Sequence, residues 1–193
     1  MTSQSIITRL WQQYIHAPRR SQPRALERLT QTTHPLDQAR AQLPRWVRNS
    51  ATAMRYWYLL SPLHWGQFPE RDLSVYCHCP PVPYAPFCAA CLVKLEEQLP
   101  SFAKLRRHLV ECPALTWLCG FPRVPSRNFP WGFDADASLP TARHFTSMLR
   151  TQPNCGPQFL LDETVAALRT ALQPYVKGFG QVISLDTKHI LAW

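Results

Sequence analysis

At 193 residues, with 46% hydrophobic side chains, the chain is long enough to bury a core, which excludes a wholly disordered polypeptide. Its 19 prolines and a charged fraction of only 17% exclude a long coiled coil and favour short helices between ordered loops. The net charge of +9 is localised: residues 1–60 hold nine Arg against Glu27 and Asp37, a balance of +7, while residues 61–126 and 127–193 each hold six bases and five acids.

The excess charge is arginine charge, since the whole chain has only Lys94, Lys104, Lys177 and Lys188. Arginine presents a planar fork that matches phosphate and guanine, so an Arg-rich block points to a polyanion, most often nucleic acid. The competing reading is a solvated basic surface. The N-terminus "MTSQSIITRLWQQYI" lacks the apolar centre of a secretory signal, and the apolar run "FCAACLV" at 87–93 is far shorter than the ~20 residues of a membrane span. With seven cysteines, an odd number, and no export signal, a reducing cytoplasm and no membrane partner are expected.

In chain order, "SIITRLWQQYIH" (5–16) repeats apolar residues with helical spacing until Pro18, and "PRALERLTQ" (23–31) reads as a second short helix. A third helix is predicted from Pro44 through "RWVRNSATAMRYWYLL" to Leu60, with Val47, Ala51, Met54 and Tyr58 on its packed face. Arg45, Arg48, Thr52 and Arg55 form a separate charged stripe on it. Arg19, Arg20, Arg24 and Arg28 precede that stripe, and Trp46, Tyr56 and Trp57 flank it, more naturally as core than as base-stacking groups. A loop-rich middle with "PPVPYAP" (80–86) leads to helices "FCAACLVKLEEQL" (87–99) and "FAKLRRHLV" (102–110), broken at Pro100. "ALTWLCGFP" (114–122) is a short apolar element stopped by Gly120 and Pro122, and 123–137 is a loop with buried aromatics. Ser138 is the expected N-cap of "LPTARHFTSMLR". "PQFLLDETVAALRTALQPYV" (157–176) reads as an amphipathic helix with Phe159, Leu160, Val165, Ala166, Leu168 and Leu172 as its apolar positions. "QVISL" (181–185) is the one convincing strand.

Two clusters carry candidate chemistry. Cys77, Cys79, Cys88 and Cys91, with His78 among them, have the spacing C-x-C-x8-C-x2-C, and four thiolates suit a tetrahedral zinc. The C-x-C half is unusual for such a site, and Cys88 and Cys91 fall in an apolar helical run where cysteine acts as a small hydrophobe. A nucleophilic pair such as Cys88 with His108 has no local sequence support, and no glycine-rich phosphate loop is present. The second candidate is Asp186, a carboxylate at the end of the strand, where it serves either as a turn residue or as one ligand of a divalent cation completed from elsewhere.

"GQVISLDTKHILAW" resembles the start of the catalytic domain of cut-and-paste insertion-sequence transposases of the DDE class. "WGQFPERDL" (65–73), "PYAPFCAACLVKLEEQL" (83–99), "LVECPALTWLCGFPRVPS" (109–126), "WGFDADASLPTARHFTSMLR" (131–150) and "PQFLLDETVAAL" (157–168) resemble the region ahead of it, in the same order. The resemblance covers about two-thirds of the chain. It implies a ribonuclease-H-like catalytic fold whose Asp, Asp and Glu hold two Mg²⁺ ions, with Asp186 as the first carboxylate; it also implies apolar residues where Cys88 and Cys91 stand. The chain ends seven residues after Asp186. The expectation is therefore an N-terminal transposase fragment without catalysis, binding DNA at element ends and needing no cofactor itself, with oligomerisation left open.

The expected organisation is a mainly α protein of short helices and proline-rich loops. It comprises a basic Arg-rich helical segment (1–62), a helical transposase N-terminal region (63–178) and the first strand of a truncated ribonuclease-H-like domain (179–193). Candidate DNA contacts are Arg45, Arg48, Arg55, Arg19 and Arg20. The alternatives are a small zinc-dependent nucleic-acid-binding or regulatory protein built on Cys77, Cys79, Cys88 and Cys91, and an inert remnant.

Overall fold

Proline and small polar side chains mark where the helices begin. The computed structural model describes residues 34–71 and 82–176, and these are mainly α-helical. Two 3-10 turns, Pro35–Asp37 and Arg40–Gln42, lead to α1 (Arg45–Arg48) and α2 (Ala51–Leu60); a third, Trp65–Gln67, follows. Then come α3 (Tyr84–Glu96), α4 (Phe102–Glu111), α5 (Pro113–Leu118), α6 (Ala135–Ser138), α7 (Ala142–Thr151) and α8 (Cys155–Leu172). An antiparallel bridge pairs Pro125 with Phe133. The helices expected at 5–16 and 23–31, and the strand at 181–185, lie outside the described residues. No helix among the described residues is long and apolar enough to cross a membrane.

Pro44 and Pro83 stand immediately before α1 and α3, and Pro113 opens α5, all positions where a missing N–H costs nothing. Hydroxyl caps open three others: Ser50 Oγ accepts from Ala53 N at 3.3 Å, Ser101 Oγ from Lys104 N at 3.3 Å, and Thr141 Oγ1 from His144 N at 3.2 Å. Two sequence expectations are corrected here. The helix expected to run unbroken from Pro44 to Leu60 stops at Arg48 and restarts at Ala51, because Ser50 caps a new helix. The restart shifts the helical phase, so Ala53, Met54, Tyr56 and Leu60 are buried while Ala51 and Tyr58 are exposed. Ser138 is not the cap of α7, a role that belongs to Thr141; Ser138 ends α6, is buried, and accepts from Val124 N at 3.1 Å.

One cluster of buried side chains runs from Leu36 and Val47 through Tyr56, Phe87, Leu109 and Leu115 to Leu160. Helix α3 sits deep within it: Ala85 through Ala90 and Val93 are all buried, and the small Ala89 and Ala90 let neighbouring helices approach closely. It packs against α4 and α8, while α4 also meets α7 and α5, and α2 meets α5. Phe87, Phe102 and Phe145 form a stack with centroids 5.6–6.4 Å apart, and Phe121 meets Phe145 edge-on at 6.1 Å. In the loop before α6, Phe133 is buried as expected, but Trp131 is exposed.

Helix α8 exists as predicted, yet only part of its expected apolar face is covered. Leu160 is buried and Phe159 meets Phe68 edge-on at 5.7 Å, whereas Val165, Ala166 and Leu168 of that face are exposed, as is Leu161 beside it. His64 ties the helix down: its Nδ1 lies 2.5 Å from Glu163 Oε2, which also accepts from His64 N at 3.2 Å. Those bonds hold the Glu163 carboxyl below its ordinary range.

Two helix ends turn on left-handed residues. After α5, Gly120 has φ of +93°, Gly120 N donates to Trp117 O, and Phe121 N donates to Thr116 O. A Cβ there would come within 2.8 Å of His34 Nε2, so glycine is required both by the backbone and by the close approach. The same pattern closes α3, but with Gln98 at φ of +50°; Gln98 N donates to Leu95 O and Leu99 N to Lys94 O. A side chain in that region costs about 1 kcal/mol. Gln98→Gly is therefore expected to raise the urea midpoint slightly, adding at most about 0.5 kcal/mol once the entropy that glycine gains in the unfolded chain is subtracted. A lowered midpoint would contradict this.

His34 gives the fold a pH dependence. Its ring stacks on Trp65 at 5.1 Å, and Nδ1 accepts from Leu36 N at 3.3 Å, which puts the proton of the neutral ring on Nε2. Part of the residue keeps surface exposure, but Nε2 is sealed from solvent and, among the described residues, no group meets hydrogen-bond geometry with it; the nearby Cys119 backbone only partly offsets the burial. Burial pushes the imidazole from 6.5 down to about 4. Because the folded state favours the neutral ring, its contribution is complete above pH 6.5 and is lost as pH falls toward 4. At 1.36 kcal/mol per unit, roughly 3 kcal/mol disappears across that window. Urea denaturation of wild type and His34→Asn at pH 7 and pH 4 checks this: the wild type should lose more stability on acidification than the variant, and equal losses would refute it.

Candidate nucleic-acid interface

Two apolar pegs orient the arginines ahead of α2. Leu43 and Val47 are almost wholly buried, at 2% and 0% exposure. Between and around them the chain makes a 3-10 turn and then a single helical turn, so Arg40, Arg45 and Arg48 are left on the outside. Gln42 Oε1 accepts from Ala39 N at 3.2 Å and closes the first of these turns. Arg40, Ala41, Arg45, Arg48 and Asn49 together line an open cleft of about 570 Å³.

Among the described residues, no carboxylate lines that cleft. Among the described residues, the arginine ion pairs involve Arg55, Arg106 and Arg107, and none involves Arg40, Arg45 or Arg48. Three guanidinium groups converging on one concavity repel one another, and an anion bridging them relieves that repulsion. Their forked donors suit phosphate oxygens, which two arginines can share.

Arg45 and Arg48 are thus brought together as the sequence suggested, but Arg55 is placed elsewhere. Its Nη2 lies 2.8 Å from Glu97 Oε1 and 3.7 Å from Glu96 Oε1, and donates to Tyr56 Oη at 3.1 Å. Tyr56 Oη in turn donates to Glu97 Oε1 at 2.7 Å, and burial together with that carboxylate pushes the phenol above its ordinary range. This group ties α2 to the end of α3. Arg19 and Arg20 lie outside the described residues.

Of the flanking aromatics, Tyr56 is buried and Trp57 is half-buried, with its Nε1 donating to Gln38 O at 3.3 Å. Trp46 is 37% exposed, meets Trp117 edge-on at 5.8 Å, and carries Arg123 over its ring at 4.7 Å. All three are held by protein partners. Arg40 is the site residue that sequence periodicity missed: it sits in a 3-10 turn outside the helical stripe. Its only sequence signal was membership of the basic block.

Comparison of the chain with family models, with curated proteins and with solved structures finds no match. What the chain can do therefore has to be read from its own side chains.

The cysteine cluster and Asp186 add little geometry to that reading. Cys88 is buried in α3 and takes a hydrogen bond from Gln152 Nε2 at 2.8 Å; Cys91 is half-buried one turn on. Burial pushes these thiols up to about 11 and about 12, which disfavours the thiolate that zinc requires. Cys77, His78, Cys79 and Asp186 lie outside the described residues. Among the described residues, no group of three or more His, Cys, Asp or Glu is arranged to hold a metal ion.

Proposed function

We propose that this chain is the DNA-binding N-terminal part of a DDE-class insertion-sequence transposase, contacting element ends through Arg40, Arg45 and Arg48. The observation that carries the DNA-binding reading is the arginine cleft before α2, which no carboxylate lines among the described residues. The family assignment rests on the ordered segments from "WGQFPERDL" to "SLDTKHI" and on Asp186 as the match to the first carboxylate. Residues 179–193 are proposed as the first strand of the ribonuclease-H-like domain. Of the Asp, Asp and Glu that hold two Mg²⁺ ions in that family, Asp186 is the one matched here, and the activity proposed is DNA binding.

Phosphate contacts release counterions, so binding should weaken steeply with salt. Three contacts predict a slope of about −3 in log K against log salt on duplex DNA. Fluorescence anisotropy of the full chain with labelled duplexes from element ends measures it. Absence of binding at low salt to both these duplexes and their separated strands, or a flat salt dependence, overturns the reading. Stoichiometric zinc in reduced protein, lost together with helicity, would move the assignment to a zinc-dependent nucleic-acid-binding protein built on Cys77, Cys79, Cys88 and Cys91.

A further inference from the structure

Beside the arginine cleft stands an aromatic ring that the core does not use. Tyr58, in the third turn of α2, is 55% exposed. Its ring meets Trp57 edge-on at 5.1 Å, and Trp57 is itself held by the hydrogen bond from its Nε1 to Gln38 O. The same chain segment then turns into Arg40, whose Cζ stands 5.8 Å from the Tyr58 ring centroid. Arg40 therefore belongs both to the cleft wall and to the space above Tyr58.

We infer that Tyr58 and Arg40 form a stacking site for an unpaired base, so that the nucleic acid seated in the Arg40, Arg45 and Arg48 cleft is single-stranded where it crosses α2. This deepens the proposed DNA-binding reading and rests on it. A base stacks at about 3.4 Å from each neighbour, so one held between ring and guanidinium needs a gap of about 7 Å. The Arg40 Cζ now stands 5.8 Å from the ring centroid, so the guanidinium must move out by at least about 1 Å to admit a base. Arg40 is an exposed side chain on a 3-10 turn and can withdraw by this amount, while Tyr58 is braced by Trp57. An aromatic face on one side and a guanidinium plane on the other is a recurring way of holding unpaired bases. A duplex base is already stacked on both faces and cannot enter. Helix α1, a single turn, is too short to lie along a major groove in its place.

The test compares one oligodeoxynucleotide of about 15 bases, single-stranded and as its duplex, by anisotropy with wild type, Tyr58→Ala and Tyr58→Phe. The single strand should bind more tightly than the duplex and should quench tryptophan emission through Trp57. Tyr58→Ala should weaken single-strand binding about ten-fold or more without changing the salt slope, while Tyr58→Phe stays within about two-fold. Single-strand affinity unchanged in Tyr58→Ala, or a duplex bound as tightly as the strand, overturns the inference while leaving DNA binding intact. Heparin bound as well as DNA, with no preference for single strands, overturns it as well. If neither form of DNA binds, the inference and the proposed function fall together.

Discussion

Replacing Phe145 with Ala is expected to remove about 3–5 kcal/mol of stability. Phe145 lies on α7 with 0% exposure, and it is the ring where four segments converge. Phe87 of α3 stacks on it at 6.0 Å, Phe102 of α4 at 5.6 Å, and Phe121, just after α5, meets it edge-on at 6.1 Å. Truncation removes the transfer energy of the ring and leaves a cavity that three rigid neighbours cannot close, since each is fixed to a different element. A domain with about 5–15 kcal/mol in total would be left marginal or unfolded. Urea denaturation followed by circular dichroism reads the change. Leu161→Ala is the comparison, because that side chain is exposed on α8 and should cost within about 0.5 kcal/mol. A loss below about 1 kcal/mol at Phe145 would show that the aromatic cluster does not hold these helices together.

Changing Arg40, Arg45 and Arg48 together to Ala should abolish the salt-dependent part of DNA binding. Each removed phosphate contact lowers the magnitude of the salt slope by about one, so the slope moves from about −3 to near zero. At low salt the affinity should fall at least about a hundred-fold. All three side chains are exposed and make no ion pair among the described residues, so the triple variant should keep the wild-type unfolding midpoint. Arg55→Ala should behave in the opposite way: it breaks the group with Glu97 and Tyr56, lowers stability, and leaves the slope unchanged. Replacing the three with Lys separates charge from geometry, because lysine keeps the counterion effect but not the forked donors. Wild-type affinity in the triple Ala variant would remove the cleft from the function.

The helix inventory was legible in the sequence largely because prolines and caps act locally. Pro100 and Pro113 separate α3, α4 and α5 near the expected limits, since a missing N–H excludes the helix interior whatever surrounds it, whereas α3 begins at Tyr84, inside the stretch 80–86 expected as loop. The arginine block was equally legible, because charge distribution is a property of composition. The break at Asn49–Ser50 was not: a hydroxyl inside a helical pattern reads the same whether it caps a new helix or points to solvent, and only the buried Val47 on one side and Ala53 on the other decided it.

By itself, then, the chain determined where helices can start and stop, that they are short, and that positive charge gathers ahead of residue 60. Tertiary structure alone decided which faces meet. It covered Phe159 and Leu160 on α8 but left Leu161, Val165 and Leu168 open, turned Arg55 toward Glu97, and brought Arg40 beside Arg45 and Arg48. The division has one physical cause. Backbone sterics and missing donors act within a few residues, whereas burial and ion pairing depend on partners distant in the sequence, such as Glu97, 42 residues beyond Arg55.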